Sequence, residues 1–232
     1  MYEFNTENYT DEPTYTHELL DFMQSLPEGI EYMIHLGAIS DSGYNKPDIM
    51  MANTLSPRLI SMVAVQLRAK LIFFSTCQAI NPYTLYGYSK YVAEFFVTGN
   101  LDKAKSCILR PFNVYGGDES GKDNGSIPWK IENDPEFVVY RDCERDFIHV
   151  EDVCQATGDL IHKEWQSGIY ELGTGEPVNI YDLYKVLTGK EPEKVATLPE
   201  NVAPRSIARK SQMLKRFYPK YSVLYPNGRE PV

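Results

Sequence analysis

The sequence predicts an α/β fold built on a parallel sheet, and two observations carry that prediction. Apolar runs of strand length at residues 30–38, 71–76 and 106–116 alternate with amphipathic stretches of helical length at 55–70 and 83–100. Strand, helix, strand, helix, strand at this spacing calls for parallel pairing through right-handed crossovers. A chain of 232 residues, 43% hydrophobic and 24% charged, can bury a full core as one domain or one and a half.

In chain order, Thr16 is placed to cap a short helix over HELLDFMQS, stopped by Pro27 and Gly29. IEYMIHLGA is an apolar run ending at Gly37, as suits a buried parallel strand. The next helix, LSPRLISMVAVQLRAK, takes Pro57 in its first turn, where a missing N–H costs little. LIFFST is a second buried strand, YTLYGYSKYVAEFFVTGN a second long helix and SCILRPFNVYG a third strand. Beyond the glycine-rich loop 116–126, FVVY, RDFIHV and GIYELG read as short strands. EDVCQATGDLIHKEW and NIYDLYKVLTG read as helices, the latter with Gly189 just past its end. After Pro192 only KSQMLKRF shows periodicity.

A net charge of −9 argues against a partner held by electrostatics alone, nucleic acid or membrane surface. The opening MYEFNTENYTDEP has neither the basic flank nor the apolar segment of a signal peptide. No run approaches the length of a membrane span. Four scattered cysteines (Cys77, Cys107, Cys143, Cys154) read as reduced thiols of a cytoplasmic protein. The histidines His17, His35, His149 and His162 have no metal-ligand spacing, so no metal is expected.

The segment STCQAINPYTLYGYSK concentrates the chemistry. Thr76 closes an apolar strand, on the edge where parallel α/β sheets bind ligands. Tyr86 and Lys90 follow one helical turn apart. Tyrosine is a poor base at its ordinary pKa of about 10, and an adjacent ammonium favours the phenolate. Thr76 can hydrogen-bond the oxygen that gains or loses the proton. Thr76, Tyr86 and Lys90 are therefore the candidate catalytic residues. Tyr-x-x-x-Lys alone carries little weight: with 17 tyrosines and 14 lysines chance supplies such a pair, and Tyr181 with Lys185 is a second one. That pair reads as an exposed helical contact.

Seven stretches, in order over roughly residues 30–210, resemble the extended short-chain dehydrogenase/reductase family of NAD-dependent nucleotide-sugar epimerases and dehydratases: IHLGAIS, MMANTLSPRLI, FFSTCQA, YGYSK, LRPFNVYG, RDFIHVEDV and GIYELGTGEPVNI. Within that family the run is most similar to the ADP-glycero-manno-heptose 6-epimerases, in which a Lys and a Gly-Ser pair follow NVYG; here these are Lys122 and Gly125-Ser126. The resemblance implies a doubly wound, Rossmann-type parallel sheet with a small C-terminal substrate lobe. It implies NAD or NADP as cofactor, lined by Gly37, Ala38, Asn53, Ser75 and Lys90, and a nucleotide-sugar substrate held by Asn113, Arg145 and Arg205.

The family's opening strand, G-x-x-G-x-x-G loop and helix have no counterpart, since the first glycine is Gly29. That predicts an incomplete sheet whose cofactor pyrophosphate lacks its usual anchor. The expected division is a truncated core over 1–116, to which strands near 144–150 and 168–173 return, and a mainly substrate-binding lobe over 117–232. An exposed sheet edge would be covered by YEFN, by a partner chain or in a homodimer. The expected function is a Thr-Tyr-Lys proton-transfer site working with NAD(P)-mediated hydride transfer. The alternatives are a non-catalytic, cofactor-less descendant that binds a sugar nucleotide or partner protein, and a fragment of a longer enzyme.

Overall fold

In the computed structural model the described residues are 17–224, except 18–19, 23, 41–46, 101–104, 120–124 and 201. YEFN and Lys122 lie outside them. The chain divides into two compact units, residues 1–109 with 167–169, and residues 110–166 with 170–232.

The first unit is built on parallel pairing. Strand β1 (Tyr32–His35) pairs with β2 (Lys70–Phe74), and β2 with β3 (Ser106–Pro111). With β8 (Gly168–Leu172) they form a four-stranded sheet in the order β1-β2-β3-β8. Among the described residues β1 is therefore an edge, and Ile34 on it is 45% exposed. The crossovers are the long helices α1 (Pro47–Leu67) and α2 (Leu85–Asn100). Ile60, Ala64, Leu71, Phe73, Ala93, Val97 and Ile108 form their common core. Full burial of a Leu, Ile or Phe side chain is worth about 1.5–3 kcal/mol, so β2, with Leu71, Ile72 and Phe73 all inaccessible, anchors the unit.

Two expectations about these elements are corrected. Pro57 lies inside α1 rather than in its first turn, because the helix begins at Pro47. Proline at an N1 position and proline on a buried face read alike in sequence; here Pro57 is buried and helix packing outweighs the lost hydrogen bond. The run 106–116 is not one strand. It breaks at Phe112, whose N–H donates to the Leu172 carbonyl, and resumes as β4 (Asn113–Tyr115).

The second unit is assembled from short pieces. β4 pairs in parallel with β7 (Phe147–His149). β6 (Glu144–Arg145) lies between β11 (Arg205–Ser206) and β9 (Val178–Asn179), and β5 (Val139–Tyr140) pairs with β10 (Val195–Ala196). RDFIHV is thus two strands parted at Asp146. Three helices complete the unit: α3 (Ile127–Asn133), α4 (Val150–His162) and α5 (Ile180–Thr188). Gly189 ends α5 at φ 68°, the left-handed conformation expected of a C-terminal glycine. KSQMLKRF yields only a single 3-10 turn, Lys210–Gln212. Ile131, Val139, Cys143, Phe147, Val178, Ile180, Leu183 and Val223 form this unit's core.

Buried acids hold its loops. Asp146, fully buried, accepts from Thr174 N and Thr174 Oγ1 on one oxygen and from Gly175 N and Ala208 N on the other. Asp152 accepts from Lys220 N and Tyr221 N, and Glu171 binds Arg209 through its backbone and guanidinium. Each carboxylate replaces the missing partners of one to three loop amides, which irregular backbone otherwise leaves unpaired.

Candidate active site

β2 ends at Phe74, and Ser75 continues its pairing by donating its N–H to the Leu109 carbonyl. Thr76 is extended (φ −154°, ψ 155°) and its hydroxyl accepts from Gln78 N, capping the 3-10 turn Cys77–Ala79. The turn is tied to the next helix through one side chain. Thr84 Oγ1 donates to Gln78 Oε1 at 2.6 Å and accepts from Gly87 N at 2.9 Å, so it caps α2. A Cβ on Gly87 would stand 3.0 Å from the Gln78 carbonyl oxygen, which is why a glycine fits there. The short 77–84 connection is therefore a folded clamp that holds the first turn of α2, which carries Tyr86, against the strand end at Thr76. Gln78, Thr84 and Gly87 were not singled out in the sequence, although a threonine just before a helix is an N-cap signal.

Burial pushes the Tyr86 phenol up to about 12, against the Thr76 hydrogen bond, which lowers it. Lys90, 1% exposed with Nζ 4.5 Å from the Phe73 ring centroid, is pressed down to about 7 by burial, with Glu94 opposing. The Lys90 charge is felt at His35. That imidazole, 7% exposed and 2.6 Å from Ser56 Oγ through Nε2, is lowered to about 3, first by burial and then by Lys90. Its Nδ1 has no hydrogen-bond partner.

The sign of the His35 effect gives a testable pH dependence. Between about pH 6.5 and 3 the unfolded chain binds a proton at this position and the folded chain does not, so stability falls as pH drops through that window. The limiting slope is about 1.4 kcal/mol per pH unit. Urea unfolding from pH 7 to about 5 is expected to show this loss, and His35→Gln, which cannot titrate, to flatten it. An unchanged slope in the variant would show that His35 does not contribute.

Asn53 is fully buried, and its amide is spent on the backbone and a helix hydroxyl. Oδ1 accepts from Ile39 N at 2.8 Å, while Nδ2 donates to Ile39 O at 3.0 Å and to Ser89 Oγ at 2.9 Å. Ser89 Oγ in turn donates to the Tyr86 carbonyl. Asn53 thus fastens the β1 exit, where Gly37 is exposed and Ala38 half-buried, to the turn of α2 that carries Tyr86. Ser75 donates its hydroxyl to Glu94 Oε1 at 2.5 Å. The structure accordingly gathers Thr76, Tyr86, Lys90, Asn53, Ser75 and the Gly37-Ala38 exit in the first unit.

Asn113, Arg145 and Arg205 belong to the second unit and lie together there. Asn113 donates its N–H and Nδ2 to the Asp146 carbonyl. β11 pairs with β6 so that Arg205 stands opposite Glu144, and Arg205 Nε meets Glu144 Oε2 at 2.5 Å. Arg145 donates to the carbonyls of Glu144 and Pro204. Asp146 supports this cluster from inside RDFIHVEDV; a lone acid directly ahead of the apolar strand residues Phe147 and Ile148 is the signal that could have found it.

The model of the NAD dependent epimerase/dehydratase family matches residues 7–173. The chain belongs to this family. Among curated members it is similar to an ADP-L-glycero-D-manno-heptose-6-epimerase of Nitratidesulfovibrio vulgaris, 27% identical over 192 residues. That match covers 68% of this chain and 59% of the relative, so the chain spans well under two thirds of that protein. Among solved structures, the Helicobacter pylori ADP-L-glycero-D-manno-heptose-6-epimerase aligns with TM-score 0.71 at 22% identity, over 93% of this chain and 74% of its own. The Bordetella bronchiseptica enzyme WbmG, in complex with NAD and UDP, aligns with TM-score 0.68 at 21% identity, over 84% and 69%. These likenesses establish the fold: an α/β family member with a Rossmann-like parallel sheet. No helix among the described residues is long and apolar enough to cross a membrane.

Proposed function

We propose that this chain carries the proton-transfer and substrate-holding parts of an NAD(P)-dependent nucleotide-sugar epimerase or dehydratase. The observation that carries the reading is Thr76 at the strand end, tied through the Gln78–Thr84 clamp to the helix turn that bears Tyr86, with Lys90 buried one turn further along α2. Tyr86 takes the substrate hydroxyl proton and returns it, and Thr76 holds the oxygen concerned. Bound NAD(P) supplies the hydride acceptor and donor. The first unit's residues fit such a group: Lys90 Nζ and the Gly37-Ala38 exit are the direct contacts, while Asn53 and Ser75, whose polar atoms already bind protein, hold the shape. Asn113, Arg145 and Arg205 form the substrate site, two guanidiniums suiting the diphosphate of a sugar nucleotide. The relatives named for an ADP-sugar, and WbmG with its NAD and UDP, support both assignments. Cytoplasmic location belongs to the same reading, none of the four cysteines being joined in a disulfide.

Calorimetric titration tests it, with NAD+ and NADP+ in one series and ADP-, UDP- and GDP-sugars in the other. Dinucleotide and sugar-nucleotide binding together are the expected result. Absence of dinucleotide binding at millimolar concentration sinks the autonomous-enzyme reading; sugar-nucleotide binding alone then points to a non-catalytic binding protein.

We also propose that the chain forms a homodimer through α1 and α2. Tyr88, Tyr91 and Phe95 lie on one face of α2, with Phe95 72% exposed, and Met62 and Val65 are exposed on α1. Sedimentation at tens of micromolar is expected to show a dimer, and Phe95→Glu to weaken it by about tenfold or more. A monomeric parent chain defeats the idea.

A further inference from the structure

Lys90 lies among buried and half-buried polar groups of the first unit. Phe73 of β2 lies beneath its Nζ, and His35 of β1 packs against the same ring at 5.6 Å between centroids. Asn53 and Ser56 of α1 hydrogen-bond Ser89 and His35, respectively. From β2 and the 3-10 turn come Ser75, Thr76 and Cys77, and from α2 come Tyr86 and Glu94. Of these, Glu94 is the one acid. It is 4% exposed, sits one turn beyond Lys90, and is the only buried carboxylate among the described residues of the first unit.

We propose that Glu94 is a positioning residue for the proton-transfer site: fixed by the Ser75 hydroxyl, its carboxylate is the buried counter-charge that keeps the Lys90 amine an ammonium. The inference deepens the reading of Lys90 as a site residue and rests on it.

An ammonium removed from water needs a partner charge, or it gives up its proton. Around Lys90 the aromatic face of Phe73 offers a weak electrostatic attraction and the neutral imidazole of His35 offers no charge. Glu94 is left to supply the compensation, its carboxylate held in place by the 2.5 Å hydrogen bond from the Ser75 hydroxyl. The Lys90 amine responds the same way: burial lowers it to about 7, and Glu94 raises it against that burial. An exposed i, i+4 Lys–Glu pair would be a surface ion pair of little consequence. Here both members are buried, and their coupling decides a protonation state. Ser75, at a position expected to line the cofactor, thereby acts on the lysine through the glutamate.

The test uses the full chain with 13C,15N-labelled lysine, following the Lys90 side-chain resonance from pH 5 to 10 and assigning it by Lys90→Arg. In the parent protein the midpoint is expected near 7. Glu94→Gln is expected to lower it by about one pH unit or more, Ser75→Ala to lower it less, and Glu94→Asp to restore part of the loss. A midpoint unmoved or raised in Glu94→Gln overturns the proposal. Should that variant fail to fold, an unmoved midpoint in Ser75→Ala overturns it instead. The resonance reports whether or not the protein turns over substrate, so failure of the enzymatic reading is distinguishable. With activity in hand, the alkaline limb of kcat/KM is expected to shift down with the Lys90 midpoint. A shift in the resonance without one in the limb would remove Lys90 from catalysis and leave its coupling to Glu94 intact.

Discussion

Tyr86→Phe is expected to reduce turnover of a nucleotide-sugar substrate by at least about a hundredfold, the lower range for removing a positioned general acid–base group. The substitution deletes one oxygen and keeps the ring, so the first turn of α2 and its Thr84 cap stay in place. Thermal stability should therefore change little, which separates a chemical loss from an unfolding one. Tyr181→Phe is the matched control. The second Tyr-x-x-x-Lys pair proves to be an exposed network: Tyr181 donates to Glu191, Lys185 forms an ion pair with the same carboxylate, and Arg141 stacks on the Tyr181 ring at 4.2 Å. Its loss should leave turnover within about twofold, as befits surface pairs of small net energy. Equal turnover in the Tyr86 variant and the parent would remove Tyr86 from the mechanism.

Asp146→Ala is expected to be the most destabilising single change in the second unit, by about 3–5 kcal/mol, because it strips the partners from three loop amides and a threonine hydroxyl at once. The neighbouring glycine adds to the effect. A Cβ on Gly173 would come within 2.5 Å of Asp146 Oδ2, so the turn is built around that carboxylate and has no alternative packing on hand. Asp146→Asn should recover little, since one of its two atoms becomes a donor facing donors. Urea unfolding reads the effect as a fall in midpoint, with Asp142→Ala on the exposed surface as the reference. A stability within about 1 kcal/mol of the parent would refute the hub.

The first unit was legible because each element announces itself locally. Three apolar runs, two long helical stretches and the polar Ser75-Thr76 strand end suffice to place Tyr86 and Lys90 on a helix behind that strand. The second unit resisted for a physical reason: its strands are two or three residues long, and their partners come from far along the chain. Whether LRPFNVYG continues or breaks at Phe112 depends on Leu172, and whether RDFIHV breaks depends on Thr174, Gly175 and Ala208 converging on Asp146. Electrostatics was equally hidden. The sequence placed Lys90 beside Tyr86 and suggested a lowered tyrosine; burial raises the phenol instead, and the lysine is the group brought near neutrality. Only depth, which spacing does not encode, distinguishes those outcomes.

The Asn53 side chain imitates a peptide unit. Its oxygen and nitrogen address the N–H and C=O of a single residue, Ile39, as the backbone of a neighbouring strand would. A helix has thereby lent one rung to a ladder that otherwise stops at His35, and the lending fixes α1 against the strand exit to within one residue. Sliding by a single position would set donor against donor. Conversion of this amide to a carboxylate, the chemistry of protein ageing, would set acceptor against acceptor at the Ile39 carbonyl without moving an atom of the main chain.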